Sequence, residues 1–383
     1  MWRHLASNAL TLIIVALVVA ISGLTWAQRQ YAKEGPLVEA VCLQVPQGGT
    51  MSGVASDLLT QEAISNATLF RLGADYSDKA ANLKAGSFLV ESGASMAEII
   101  DQITGDGLST CGTEVIYRIS VGGQSVRVRE LNAVSQEFEV TAEYDPASDE
   151  APKAYVDARN DVATRYRVIV AEGATSWQIV NALNALDLFV GEPEEVPDEG
   201  TLAPDSYEVR AEADRIELLA SMAALQADRL AKAWEAKSDS APVKSPEEAL
   251  VLASIIEKET GLPEERGLVA SVFANRLARG IKLQTDPTVI YGVTRGEGIL
   301  GRGLRQSELR RETKWNTYVI DGLPPTPIAN PGLASIEAAL NPEDTDFIFF
   351  VADGTGGHAF AETLDQHNEN VARWRRIEAE REN

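Results

Sequence analysis

The sequence predicts an α+β protein behind a single N-terminal apolar helix. Three observations support this: an uncharged apolar run near the start, a strand–glycine–helix pattern used three times, and a C-terminal third in which capped helices precede an alternating hairpin pattern. At 383 residues, 45% of them hydrophobic, the chain is long enough for two or three domains with cores of their own. Its 57 acidic and 34 basic residues leave a net charge of −23. Phosphate backbones are therefore repelled wherever no local basic patch intervenes, and nucleic acid is not expected as a partner.

Residues 5–28 carry no charge, and 9–27 are nearly all Leu, Ile, Val and Ala, about the ~20 residues that cross a bilayer as a helix. Residues 1–28 thus read as a short tip and a membrane span. Thr25-Trp26-Ala27 also resembles a small-residue cleavage site, so a signal peptide competes; the run exceeds the ~7–15 residues of a signal h-region, which favours an uncleaved anchor. Arg3 and His4 before the span and Arg29 and Lys33 after it give orientation almost no charge bias. Cys42 and Cys111 are the only cysteines and lack Cys-x-x-Cys spacing; a disulfide on an oxidising side and two small core residues both remain open.

The repeat appears in Val45-Pro46-Gln47-Gly48-Gly49-Thr50, Val90-Glu91-Ser92-Gly93-Ala94-Ser95 and Val170-Ala171-Glu172-Gly173-Ala174-Thr175. Each copy reads as a strand, a glycine turn, a Ser or Thr placed to cap, and an amphipathic helix. Such small strand–helix units are similar to LysM modules, which hold glycan chains, so 29–111 is expected to be a LysM-like α/β region; chance reuse of a common device is the plain alternative. Residues 112–165 read as strands followed by a polar loop, with no evident chemistry. Residues 166–244 hold the third copy, an acidic proline-containing stretch at 191–200, and a helix from about 213 to 236.

The last region, 245–383, carries the chemistry. Ser245-Pro246-Glu247-Glu248 predicts a helix start with Ser at the N-cap and Glu248 closing a capping box, and Gly261, as a left-handed C-terminal residue, with Pro263 predicts its end. Ala249, Leu252, Ala253 and Ile256 form one apolar stripe; Glu257 borders it beside Ala253 and Ser254, where partial desolvation would suit a general acid. Glu259, about 200° further round, is expected to face away from any cleft that Glu257 faces. An ordinary exposed or ion-paired role is the plain alternative for Glu257. Residues 347–351 and 358–362 around Asp353-Gly354-Thr355-Gly356-Gly357 read as a β-hairpin. No His-x-x-x-His or Cys-x-x-Cys pattern supports a metal, no cofactor motif is present, and no Gly-x-Ser-x-Gly elbow supports a serine hydrolase.

The runs Leu252-Ala253-Ser254-Ile255-Ile256-Glu257-Lys258-Glu259-Thr260, Val269-Ala270-Ser271-Val272-Phe273-Ala274-Asn275-Arg276-Leu277 and Leu283-Gln284-Thr285-Asp286-Pro287-Thr288-Val289-Ile290-Tyr291-Gly292 resemble the MltG/YceG-like endolytic murein transglycosylases. So do Asn316-Thr317-Tyr318, Gly322-Leu323-Pro324-Pro325, Ile328-Ala329-Asn330-Pro331-Gly332 and Phe350-Val351-Ala352-Asp353-Gly354. The resemblance implies a membrane-anchored enzyme on the periplasmic side of an inner membrane. It would cut the MurNAc–GlcNAc β-1,4 bond of peptidoglycan without water and leave 1,6-anhydro ends, working beside peptidoglycan synthases. It implies Glu257 as catalytic acid/base and Gln284, Asp286, Asn316 and Tyr318 as substrate-binding residues. Each of the four has a plainer reading: Asp286 as a helix cap before Pro287, Gln284 and Asn316 as loop-fixing amides, Tyr318 as packing. A hydrolysing muramidase, with Asp286 as its second carboxylate, and an inactive glycan-binding scaffold are the rivals.

Overall fold

The computed structural model describes residues 2–46, 48–105, 110–161, 163–191 and 195–381, with side chains from residue 12 onward. Gln47 of the first repeat copy, residues 192–194 of the acidic stretch, and the side chains of Arg3 and His4 lie outside the described residues. The chain divides into two compact units: Met1–Val115, Arg127–Tyr144 and Glu150–Tyr166 form the first; Ile116–Val126, Asp145–Asp149 and Arg167–Asn383 form the second.

The first unit opens with α1 (Trp2–Ala32), whose residues Leu12–Ala32 are long and apolar enough to cross a membrane. Leu12, Val15, Leu17, Val19 and Ile21 all stand exposed, as a lipid-facing helix requires. The end of α1 belongs to the fold, since a side chain at Gly73 would collide with the Tyr31 ring. Then come β1 (Val41–Val45), α2 (Met51–Thr60), α3 (Ala67–Tyr76), β2 (Gly86–Val90) and α4 (Met96–Thr104). β1 and β2 pair antiparallel, Val41 opposite Val90 and Val45 opposite Gly86. Leu43, Leu58, Phe70, Phe88, Ile99, Ile100 and Ile103 are fully or almost fully buried between this pair and the three helices. Cys42 on β1 is disulfide-bonded to Cys111, closing a loop of 69 residues and settling the cysteine question.

The chain continues through β3 (Thr113–Ser120), β4 (Gly123–Leu131), β5 (Phe138–Tyr144), α5 (Lys153–Asn160) and β6 (Arg165–Val170). In the first unit β5 borders β4, and Glu114 on β3 is buried against Arg129 on β4. The helix α5 was not expected from the sequence: its mean hydropathy is low, and only Tyr155 and Ala158 are buried.

In the second unit the strand order is β4-β3-β6-β8, with β8 at Ser206–Val209, after α6 (Ser176–Ala185) and β7 (Phe189–Val190). β7 pairs in parallel with β9 (Ala213–Asp214), which leads into α7 (Arg215–Glu235). The helices α8 (Pro246–Glu259), α9 (Arg266–Ala278), α10 (Asp286–Thr294), α11 (Gln306–Leu309) and α12 (Leu333–Leu340) follow. The expected hairpin forms as β10 (Phe349–Ala352) and β11 (His358–Ala361), Phe350 opposite Phe360, and α13 (Leu364–Arg381) ends the chain.

All three repeat copies fold as their residues dictate. Thr50, Ser95 and Thr175 each cap a helix by accepting the backbone N–H three residues on, and Gly48, Gly93 and Gly173 hold the turns with φ near +75°. Around α8 lies the core of the second unit: Leu252, Ala253, Ile255 and Ile256 pack with Val269, Ala270, Ile336 and Ala339, all fully buried.

Candidate active site

Helix α8 carries both candidate glutamates, and its ends differ from the expected pattern. Ser245 caps through the Glu248 N–H, but Glu248 accepts the Lys244 N–H instead of closing the box on Ser245. At the far end Gly261 is not left-handed; Thr260 leaves the helix in extended conformation, and its hydroxyl accepts the Leu262 N–H. Between these ends Leu250, Val251, Ser254 and Ile255 are buried as well as the predicted stripe, so the middle of α8 packs on every side, while Glu247 near its start is exposed and Glu257, Lys258 and Glu259 at its end are half-buried. That packing changes what each flank can face.

Glu257 accepts two hydrogen bonds on one oxygen, from the Gly332 N–H at 3.0 Å and the Ser335 hydroxyl at 2.7 Å. These groups are the N-cap and third residue of α12, so Glu257 supplies the carboxylate that this helix start lacks within its own sequence. Any side chain at Gly332 would collide with Glu172, and burial together with the neighbouring Glu257 raises the Glu172 carboxyl above the usual range. Lys258 donates to the Gly173 carbonyl at 3.3 Å; burial pulls its ammonium down, opposed by Glu257 and Glu199.

Glu259 lies on a different face from Glu257, as expected, but it is Glu259 and not Glu257 that the structure sets beside the predicted binding residues. Its carboxyl accepts the Thr285 hydroxyl and lies beside Asp286, His358 and Arg276. Burial raises its proton affinity above the usual carboxylate range; the Thr285 hydrogen bond opposes that rise and the charge of Asp286 adds to it. The position about 200° from Glu257 meets a second packed surface, formed by residues 283–288 and 316–318.

Those two segments hold the four predicted binding residues. Gln284 donates its N–H to the Thr317 carbonyl at 3.2 Å, is held at φ +52°, and exposes its side chain. A left-handed glutamine is an uncommon backbone state that the fold maintains against strain. Asp286 is not the cap of α10, since Thr285 occupies that place; it sits in the first turn and accepts the Tyr318 hydroxyl at 2.7 Å. Burial and the neighbouring Asp286 push the Tyr318 phenol up, so it stays protonated and donating. Asn316 is fully buried, its amide nitrogen donating to the carbonyls of Glu308, Leu309 and Arg311 at 3.2, 3.1 and 2.7 Å, so it fixes the loop. Its oxygen accepts the Tyr318 N–H at 3.0 Å. Gln284, Asp286 and Tyr318 therefore gather near Glu259, with Asn316 as their support.

Other buried groups escaped the sequence reading. Glu199 takes the Ser176 N–H at 2.8 Å and the Tyr291 hydroxyl at 3.2 Å, and burial raises its carboxyl. Glu265 holds His358 through the ring nitrogen and the backbone N–H, both at 2.7 Å. Arg276 donates to the carbonyls of Ile348, Lys282 and Leu283, tying α9 to the hairpin and to the segment before Gln284. Only the Glu-Lys-Glu-Thr run, with two acids closing the apolar stretch from Ala249 to Ile256, could have flagged any of this.

The YceG-like family model matches residues 43–373. The endolytic murein transglycosylase of Bacillus subtilis (strain 168) is 28% identical over 328 residues, covering 86% of this chain and 83% of that protein. That of Streptococcus pneumoniae serotype 2 is 33% identical over 181 residues, 45% of this chain and 32% of that protein. The crystal structure of a YceG-like protein from Listeria monocytogenes aligns over 86% of this chain and 98% of its own, with 24% identity and a TM-score of 0.44. With the family match extending over most of its length, the chain belongs to the YceG-like family.

Proposed function

We propose that the protein is a membrane-anchored lytic transglycosylase that cuts peptidoglycan strands internally at the MurNAc–GlcNAc β-1,4 bond, with Glu259 as acid and base. The observation that carries this reading is the Glu259 carboxyl, half-buried, raised in proton affinity and set beside Asp286 and Tyr318. Relatives named endolytic murein transglycosylases support the reaction class. Protonated Glu259 gives its proton to the glycosidic oxygen as the bond to C1 breaks. The resulting carboxylate takes the proton of the muramic acid 6-hydroxyl as that oxygen bonds to C1, and the group returns to its starting state. Gln284, Asp286 and Tyr318 would bind and orient the sugar. Glu257, which the sequence favoured as the catalytic group, would instead be a positioning residue at the start of α12.

The β1–α2–α3–β2 unit, an antiparallel pair with two helices between, supports a LysM-like glycan-holding role. The disulfide suits an oxidising, periplasmic side of the inner membrane, with α1 as the anchor. Peptidoglycan synthases would be the natural partners there, since cutting nascent strands sets their length.

Asp286 beside Glu259 keeps one rival specific: a muramidase, in which Asp286 activates water or acts as nucleophile. Digesting purified peptidoglycan in ¹⁸O-labelled water separates the two. Unlabelled 1,6-anhydro products, lighter by one water than reducing ends, are expected; label at C1 would establish the muramidase, and no product at all the inactive scaffold.

A further inference from the structure

We propose that the segment 295–314 is a cationic subsite for the carboxylates of the peptide stems that peptidoglycan strands carry; this rests on the peptidoglycan reading above. In a chain of net charge −23, this stretch holds Arg295, Arg302, Arg305, Arg310, Arg311 and Lys314 against Glu297, Glu308 and Glu312. It is thus a local reversal of sign, net positive by three. Internal pairing consumes only part of it. Arg302 forks onto Glu308 with contacts of 2.9 and 2.6 Å, and Arg295 lies over the Trp315 ring at 3.9 Å. Arg310, Arg311 and Lys314 are exposed and make no ion pair among the described residues.

Placement ties these cations to the site. The carbonyls of Glu308, Leu309 and Arg311 are all held by the buried Asn316 amide, whose oxygen takes the Tyr318 N–H, while the Tyr318 hydroxyl holds Asp286. One hydrogen-bonded chain therefore fixes the backbone under the arginines relative to the residues beside Glu259. The N-acetylated sugars of the glycan are neutral, so a fixed cationic strip does nothing for the sugar backbone itself. The anionic charges on the polymer are the free carboxylates of its stems, which arginine recognises with charge-assisted, often paired hydrogen bonds.

The test measures sedimentation of the full chain, in detergent, with intact sacculi and with sacculi whose stem carboxylates have been converted to amides by carbodiimide and ammonia, with inorganic phosphate as a competitor. Binding about tenfold weaker to amidated sacculi is expected, with the difference shrinking as salt is raised. The paired exposed substitutions Arg310→Glu and Arg311→Glu, and separately Arg310→Gln and Arg311→Gln, should weaken binding to intact sacculi about tenfold and leave binding to amidated sacculi as in the wild type. Equal wild-type binding to both substrates overturns the subsite and leaves the peptidoglycan reading standing. Displacement by phosphate without any effect of amidation assigns the strip to phosphate anions instead. Binding to neither substrate removes both proposals.

Discussion

The Tyr318 hydroxyl donates to Asp286 at 2.7 Å, so a phenol that burial keeps protonated is aimed at the carboxylate nearest the Glu259 side of the site. Tyr318→Phe removes the donor without changing the ring. A charge-assisted hydrogen bond of this kind contributes about 1.5–3 kcal/mol, so kcat/KM for release of anhydro-muropeptides is expected to fall about tenfold or more, with an unchanged circular dichroism spectrum.

The two candidate glutamates at the end of α8 should separate cleanly. Glu259→Gln, which can neither give nor take the proton, is expected to lower turnover by about 10²–10⁴-fold while leaving the fold intact. Glu257→Gln removes the charged acceptor of Gly332 and Ser335, so it should keep turnover within a few-fold and lower the melting temperature through a loss of about 1 kcal/mol. Chromatographic assays and thermal melts on both variants decide the matter; a dead Glu257→Gln beside an active Glu259→Gln would restore Glu257 to the chemistry.

Acidity provides a second measurement of Glu259. Its folded proton affinity is raised, so its contribution to stability is complete below the unfolded carboxylate value and is lost as pH rises through the folded one. Glu172 and Glu199, also raised by burial, carry the same sign. Calorimetry across that window should show Glu259→Gln gaining melting temperature relative to the wild type as pH rises, with no gain at the acid end. In the wild type, kcat/KM should fall on the same alkaline side, because the acid must be protonated to act.

Breaking the Cys42–Cys111 bond should loosen the first unit. A closed loop of 69 residues corresponds to about 4 kcal/mol of chain entropy, an upper figure since the reduced chain keeps some structure. Cys42→Ser or Cys111→Ser should lower the melting temperature of that unit, and reductant should reproduce the effect in the wild type only.

The apolar helix α1 leads to a simpler expectation. The chain should fractionate with membranes and leave them only in detergent, whereas a mature N-terminus at Gln28 would show that the segment had been removed.

Local rules were legible wherever a few neighbouring residues decide the outcome. The three Ser or Thr caps, the N-terminal apolar run, the hairpin around Asp353 and the Ser245 start of α8 all follow from spacing over fewer than ten residues or so. What the helix geometry could not give was which of the two carboxylates meets the binding residues. They do face different ways, but the loop residues that pack on the Glu259 side, Thr285 among them, come from 26 residues further along the chain. Asp286 was misread for a related reason: Asp before Pro looks like a cap, yet Thr285 takes that place and the partner that occupies Asp286 is Tyr318, 32 residues away. Contacts at that separation leave no periodic trace.

The third copy of the repeated cap is built under a tighter constraint than the first. Thr50 only accepts, from the Gly53 N–H, and stands exposed. The buried Thr175 hydroxyl accepts the Gln178 N–H and also donates to the Gly296 carbonyl at 2.6 Å, fastening the start of the arginine-bearing segment to α6. A hydroxyl can do both at once, but a carboxylate has no hydrogen to give and would face that carbonyl oxygen with like charge. Aspartate, elsewhere an equal of threonine at helix starts, is therefore interchangeable at position 50 and excluded at position 175.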